Sequence, residues 1–305
     1  MANTFTAKAQ KYMTVLDEIY KAEALTAILE QPDTEFVGAN KVRFPKIALD
    51  GAGDYNRDTG YVQGAVTVDF EEHELMHDRG RKFRIDYIDN DEVAFDLYRS
   101  VMNEYVRTKE IPELDAARFA RMAGLSGAKT VSEDLAAQDA MKLWDDCESY
   151  LIDTEVNLGD VVLYVSSAFY RLMKQSASLS RRLDVTDNNG NINRKISMLD
   201  GQTPVFVVPA SRFYDSINLF DGVSSGETAG GFAPIKATSH AINFMAVPKP
   251  YCKAITKRKA SKIIMPETNQ SADAYDVMYR LHHDLIVPEN KQGGIYVHKS
   301  ATAIS

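Results

Sequence analysis

Apolar side chains recur at helical spacing between Ala7 and Leu29, where Tyr12, Val15, Leu16, Ile19, Leu25, Ile28 and Leu29 fall mostly on one face and Lys and Glu on the other. This predicts an amphipathic helix ended by Gln31-Pro32, which either docks on its own domain or lies as an arm on a neighbour. From Val37 to Asp89 the period changes to short alternating runs, Lys41-Val42-Arg43-Phe44, Ala65-Val66-Thr67-Val68-Asp69-Phe70 and Lys82-Phe83-Arg84-Ile85-Asp86. Between the first two lies a Gly- and Asp-rich stretch, residues 49–60. The pattern predicts a long β projection with a mobile tip. An isolated ribbon of two strands is marginal in water and its edges invite pairing, so something outside the chain's own core is expected to cover it.

Helical spacing returns after Asp89, whose pairing with Glu92 has capping-box form, and Val93, Leu97, Val101 and Tyr105 predict a long helix interrupted at Pro112. A second helix then runs to Gly124. A third, capped by Ser132, carries Ala136, Ala140, Leu143, Trp144, Cys147 and Leu151 as one stripe. Val161 to Val165 reads as a buried strand leading through Ser166-Ser167 into a helix with Phe169, Leu172 and Met173. Beyond it come a turn-rich loop at Asp187-Asn188-Asn189-Gly190, the strands Lys195–Leu199 and Val205–Val208 about an Asp200-Gly201 turn, and a Gly/Ser loop from Asp221 to Gly231. Further strands fall at Ala241–Val247, Lys262–Met265 and Gly294–Val297. The class is α+β.

Composition narrows the role more than it defines it. The chain has 305 residues, 45% of them apolar and 26% charged, which suits a self-sufficient globular protein. No window approaches the roughly 18 uninterrupted apolar residues of a membrane-spanning helix, and no export signal is recognisable, so a cytoplasmic site of synthesis is expected. A net charge of −8 argues against a protein whose task is to grip nucleic acid, though it permits enclosing it. The basic run from Lys249 through Lys253, Lys257, Arg258, Lys259 and Lys262 reads as a solvated strand face. Cys147 and Cys252 lie too far apart in sequence to suggest a framework and read as core thiols.

One motif points to chemistry. His73-Glu74-Leu75-Met76-His77 matches H-E-x-x-H, in which two histidines one helical turn apart bind zinc and the glutamate activates water. That chemistry needs a helix, yet the flanks read as a strand and a charged turn. In a strand, positions four apart share a face but stand roughly 13 Å apart, too far for one metal. A zinc metallopeptidase through His73, Glu74 and His77 is therefore a remote alternative. No Gly-rich phosphate loop or nucleophile elbow occurs, so no enzyme, cofactor or metal site is expected.

Several segments in order carry a resemblance: Val37-Gly38-Ala39-Asn40 with Val42; Asp78-Arg79-Gly80 through Phe83, Ile85-Asp86 and Asp89; Arg107-Thr108-Lys109 to Ile111-Pro112-Glu113-Leu114-Asp115 with Phe119; Val208-Pro209-Ala210-Ser211-Arg212-Phe213; His283-Asp284; and Asn290-Lys291 to Gly294-Ile295-Tyr296. Together they resemble the major capsid proteins of tailed double-stranded DNA bacteriophages and prophages, the Hong Kong 97 fold. The resemblance implies an N-terminal arm at 1–36, an extended β-hairpin at 37–89 known in that family as the E-loop, a peripheral domain with its spine helix at 90–175 and 235–305, and an axial domain at 176–234. It implies self-assembly into pentamers and hexamers of an icosahedral shell around packaged DNA, bound without sequence specificity. A portal protein is an implied partner, with a scaffolding protein and a decoration protein as further candidates. The implied location is the virion, assembled in the bacterial cytoplasm. Candidate contacts between subunits are Tyr12 and Ile19 on the arm, Gly51, Gly53, Tyr55 and Arg57 at the projection tip, Arg79, and Asn189, Gly190 and Gly230 in the loops. An encapsulin-like nanocompartment is the nearest rival.

Overall fold

A computed structural model describes residues 24–30, 36–37, 40–88, 97–135, 139–176 and 196–304. Tyr12, Ile19, Asn189, Gly190, the Asp89/Glu92 pair and most of the N-terminal helical stretch lie outside them. The projection is a ribbon in which β1 (Phe36–Val37) pairs briefly with β2 (Lys41–Leu49), and β2 runs antiparallel to β3 (Val66–Glu74) from Lys41 opposite Glu74 to Leu49 opposite Val66. The third run expected in the projection departs from it. After a corner at Leu75-Met76, β4 (His77–Asp86) turns into the body and pairs along its whole length with the late strand Ala274–Ile286. The hairpin is thus shorter than 37–89. The alternation of β4, with Phe83 and Ile85 on one face and Lys82 and Arg84 on the other, suits a strand lying on a core, which the sequence pattern alone does not assign to a partner.

The long helix is continuous where an interruption was expected. It comprises α1 (Leu97–Tyr105), a wide π turn (Val106–Glu110) and α2 (Ile111–Ala123), with helical backbone angles at Tyr105, Glu110 and Ile111. Pro112, which has no N–H to donate, stands just past the wide turn, where the ladder steps back five residues and the Ile111 N–H reaches the Val106 carbonyl. Ser132 belongs to β5 (Lys129–Ser132) rather than to a helix cap. The next helix, α3 (Ala140–Asp153), starts later, with Asp139 accepting from the Met141 N–H at 3.1 Å.

A buried strand, β6 (Val161–Ser166), has all six residues buried and passes directly into α4 (Ser167–Gln175), where Ser166 accepts from the Phe169 N–H at 3.2 Å. Next come β7 (Met198–Leu199), the Asp200-Gly201 turn with both residues at positive φ, and β8 (Thr203–Val208). The hairpin of β9 (Ile217–Leu219) and β10 (Phe232–Pro234) carries the 220–231 loop, and β11 (His240–Pro248), β12 (Lys253–Ile264), β13 (Ala274–Ile286) and β14 (Tyr296–Ala303) complete the chain.

Two larger sheets result. The six-stranded sheet has the order β5-β14-β11-β6-β8-β7, and a three-stranded sheet has the order β12-β13-β4. The first draws strands from 129 to 303 and so crosses the boundaries expected at 175 and 235. One apolar cluster, with Trp144, Leu151, Phe169 and Phe244, joins α3 and α4 to this sheet; another joins it to Leu29, Phe119 and Met122. A third cluster, with Met102, Val106, Leu114, Val277 and Leu281, seats the long helix on β13. Gly80 of β4 is fixed by close approach, since a Cβ there would stand 2.7 Å from the Tyr279 carbonyl. Cys147 and Cys252 are buried free thiols whose burial pushes both up, as core residues. Among the described residues no helix is long and apolar enough to cross a membrane.

Candidate assembly surfaces

Directly opposed residues of an antiparallel pair share a face, so the β2–β3 register divides the ribbon cleanly. One face carries Lys41/Glu74 and Arg43/Glu72 near the body, then Pro45/Phe70, Ile47/Val68 and Leu49/Val66 toward the tip. Arg43 pairs with Glu72 and lies 5.4 Å from the Phe70 ring centre. The five larger apolar side chains beyond it are 53% to 69% exposed. The other face buries Val42 and Phe44 against Leu75, Ile255 and Ile286 at the root, then turns polar with Lys46/Asp69 and Ala48/Thr67. The ribbon is therefore anchored by one face at its base and presents an uncovered apolar stripe on the other at its far end.

The tip continues that stripe. Tyr55 and Tyr61 meet edge to face at 4.9 Å, beside exposed Val62, and Asn56 and Gly60 exchange backbone hydrogen bonds across the Arg57–Thr59 turn. The Asn56 carboxamide accepts from the Asp58 N–H at 2.8 Å and Gly60 takes φ 81°, which glycine adopts freely. Gly51 and Arg57 are exposed, and a Cβ on Gly53 would press on Val62 at 3.2 Å. The tip candidates Gly51, Gly53, Tyr55 and Arg57 thus all lie on the exposed end of the ribbon.

Arg79 reaches the loop that holds Gly230, inside the chain. Arg79 ion-pairs with Glu113 at 2.6 Å and donates to the carbonyls of Phe220 at 2.8 Å and Gly231 at 3.4 Å, while Arg81 donates to the Thr228 carbonyl at 3.0 Å. Two arginines of β4 thereby hold the glycine loop, whose Gly222, Gly226, Gly230 and Gly231 all take positive φ. Asp221 caps its start through Val223 and Ser224, and these bonds pull its carboxyl down to about 2. Between loop, β4 and the π turn lies a cleft of about 790 Å³, lined by Arg79, Arg81, Tyr105, Lys109, Phe220 and Phe232. At its edge Glu110 is nearly fully buried and accepts from the Tyr105 hydroxyl at 3.1 Å; burial, then the nearby Glu113 charge, raise its carboxyl to about 7.

The segment at 24–30 is fixed by charges that the sequence pattern does not single out as a cluster. Fully buried Asp115 accepts from the Leu25 and Thr26 N–H groups at 3.2 and 3.1 Å, from the Thr26 hydroxyl at 2.7 Å, and from Arg212 at 2.9 Å. Buried Arg118, one turn on, donates to the Thr26 hydroxyl at 3.1 Å and to Glu30 at 2.9 Å. The one signal in the sequence is a charged pair at i and i+3 on the apolar face of α2, between Leu114 and Phe119.

The zinc motif is not a helical site. His73 lies within β3 opposite Val42, its ring 2.6 Å from the Glu71 carboxylate, whereas His77 opens β4 in another sheet and stacks on His283 at 5.5 Å. Among the described residues no group of three metal-binding side chains converges. The metallopeptidase reading is corrected accordingly.

A hairpin ribbon, a long helix on a three-stranded sheet and a six-stranded sheet flanked by helices make up the Hong Kong 97-type capsid fold. The solved structures it resembles include the capsid of the cyanophage P-SCSP1u (TM-score 0.60, 10% identity, 90% of this chain and 87% of that one) and the mature capsid of bacteriophage PhiM1 (0.58, 13%, 87% and 83%). They also include a virus-like particle from Pyrococcus furiosus (0.55, 10%, 95% and 98%). No family model and no curated sequence matches the chain. At such identities the likeness is one of fold, shared with tailed-phage major capsid proteins.

Proposed function

We propose that the chain is the major capsid protein of a tailed double-stranded DNA bacteriophage or prophage, and that its copies close into an icosahedral shell of pentamers and hexamers. The observation that carries this is the ribbon stripe of Pro45, Phe70, Ile47, Val68, Leu49 and Val66, left exposed among the described residues on an element too slender to bury it. A neighbouring copy supplies the missing cover, and closure of rings and shell lets many modest contacts reinforce one another. In this reading the long helix with the β12-β13-β4 sheet forms the peripheral part and the six-stranded sheet with α3 and α4 the axial part. A portal protein completes one vertex, with scaffolding and decoration proteins as further partners. DNA fills the interior without sequence-specific grip, as the net charge of −8 suits. Assembly takes place in the host cytoplasm, the product is the virion shell, and the chain itself catalyses nothing.

Electron microscopy with size-exclusion chromatography of the purified protein tests this. Closed shells or hexamer-sized rings are the expected result, and a strictly monomeric protein at high concentration would overturn it. The near-complete mutual coverage with the Pyrococcus furiosus particle favours a second reading, a nanocompartment that encloses protein cargo. Nuclease-protected DNA inside shells made in the native host supports the phage reading, and protein cargo the other.

A further inference from the structure

Four of the chain's six histidines, His73, His77, His282 and His283, gather where the ribbon leaves the body. His77 and His283 are direct partners at the last rung of the β4–β13 ladder, with rings stacked at 5.5 Å and 30°. The corner just before them is tied by the Met76 N–H donating to buried Asp284 at 3.0 Å and by the Leu75 N–H donating to the Asn40 carbonyl at 2.9 Å. His283 is almost wholly buried and its Nδ1 finds no hydrogen-bond partner among the described residues. We propose that the stacked pair His77–His283 is an acid-released latch: as neutral rings it closes the end of the ladder and sets the angle at which the ribbon leaves the body, and on protonation it frees that corner.

The charges around the pair favour the neutral form. Arg118 and Arg121 reach it from α2, Arg79 from β4 and His282 from β13, against the carboxylates of Asp284 on β13 and Glu113 on α2. Burial first, then the arginines, hold both rings below the ordinary histidine range; Asp284 partly offsets this for His77. The sign follows from linkage. Between the unfolded value of 6.5 and the lower folded ones the open chain binds more protons, so the closed corner is fully stable above that window and weakens as pH falls through it. Two like charges forced together at 5.5 Å add to the effect. The consequence for shell geometry rests on the assembly reading above; the latch itself does not.

Hydrogen exchange of the full chain at about pH 7.5 and about pH 5.5 tests it, expressed as protection corrected for intrinsic rates. Residues 75–80 and 281–286 are expected to lose about tenfold protection or more at the acid value, equivalent to about 1.4 kcal/mol of closure, while the β11 core stays unchanged. His77→Phe with His283→Phe keeps a stack without titration and should hold protection at both values. If that pair fails to fold, His77→Phe alone should show a smaller acid response than the native chain. An unchanged corner in the native chain, an equal loss in the Phe variants, or a loss shared by β11 would overturn the latch. Microscopy of the same samples separates the two readings: absence of shells at either pH sinks the assembly reading alone, and shells with an unresponsive corner sink the latch alone.

Discussion

Two segments leave the body near Arg118, and different chemistry holds each root. Residues 24–30 cross α2 over Asp115, Arg118 and Arg212, a buried network whose arginines stay charged at any physiological pH. The ribbon root instead combines a small apolar cluster of Val42, Phe44, Leu75, Ile255 and Ile286 with a stack of neutral histidines. The first is a fixed attachment, since removing a partner strands a buried charge. The second is a junction whose histidine rings are held below the ordinary histidine range by burial, so that acid works against it.

The largest expected effect breaks the fixed side of this contrast. Asp115→Asn withdraws the carboxylate from Arg212 and from the Thr26 N–H and hydroxyl, and should lower folding stability by about 3–5 kcal/mol. Urea denaturation with exchange at residues 24–30 measures it. A loss under about 1 kcal/mol would mean that the network does not hold the segment.

How far the sequence shows these roots depends on whether local pattern determines the contact. The ribbon is legible because alternation in Lys41–Phe44 and Ala65–Phe70 is a period-2 signal with no competing reading, and β6 and α4 because a continuous apolar run meets a Ser cap. The departure of β4 is not legible, since its partner β13 lies about two hundred residues away and alternation does not name a partner. Pro112 reads as a break, yet the π turn just before it lets the helix run on, and that turn has no sequence signature. The axial boundaries fail for a related reason: strands at 129–132 and 296–303 join one sheet only through long-range pairing. Of the contact candidates, the exposed tip cluster around Tyr55 is readable from Gly and Asp content. The engagement of Arg79 with the 220–231 loop is not, because an arginine beside a glycine reads the same whether it faces a neighbour or its own chain.

A smaller effect concerns the joint in the long helix. Glu110 titrates at about 7 in the fold against 4.5 in the open chain, so between those values the fold holds the extra proton. Stability from this group is complete below about 4.5 and is lost as pH rises through about 7, by about 3 kcal/mol in all. Glu110→Gln, which keeps an acceptor for the Tyr105 hydroxyl, should remove that loss between about pH 4.5 and 7 when urea midpoints are compared across pH. Together with the histidine latch, which weakens in acid, this predicts tightest closure of β4, β13 and the long helix near neutrality. A difference between the native chain and the Gln variant that stays constant from about pH 4.5 to about 7 would show that the buried carboxyl finds compensation in Arg79 or Lys259.

The smallest effect on folding should fall on the far half of the ribbon, and there the contrast between folding and assembly is sharpest. Ile47→Asp with Val68→Asp places charge on side chains that are 59% and 54% exposed and belong to no core cluster among the described residues, so the isolated subunit should lose no more than about 1 kcal/mol, most of it from like charges facing each other across the strands. The two carboxylates would stand opposite each other on the stripe that a neighbouring copy is to cover. Burying them there without cations is costly enough to prevent closure. Val42→Asp at the root should do the reverse, destabilising the subunit because Val42 is only 1% exposed among Leu75, Ile255 and Ile286. Urea denaturation and light scattering on the same samples separate the two positions. If shells form unchanged with both aspartates in place, the exposed stripe is not the surface that joins one copy to the next, and the tip around Tyr55 and Tyr61 becomes the region to alter instead.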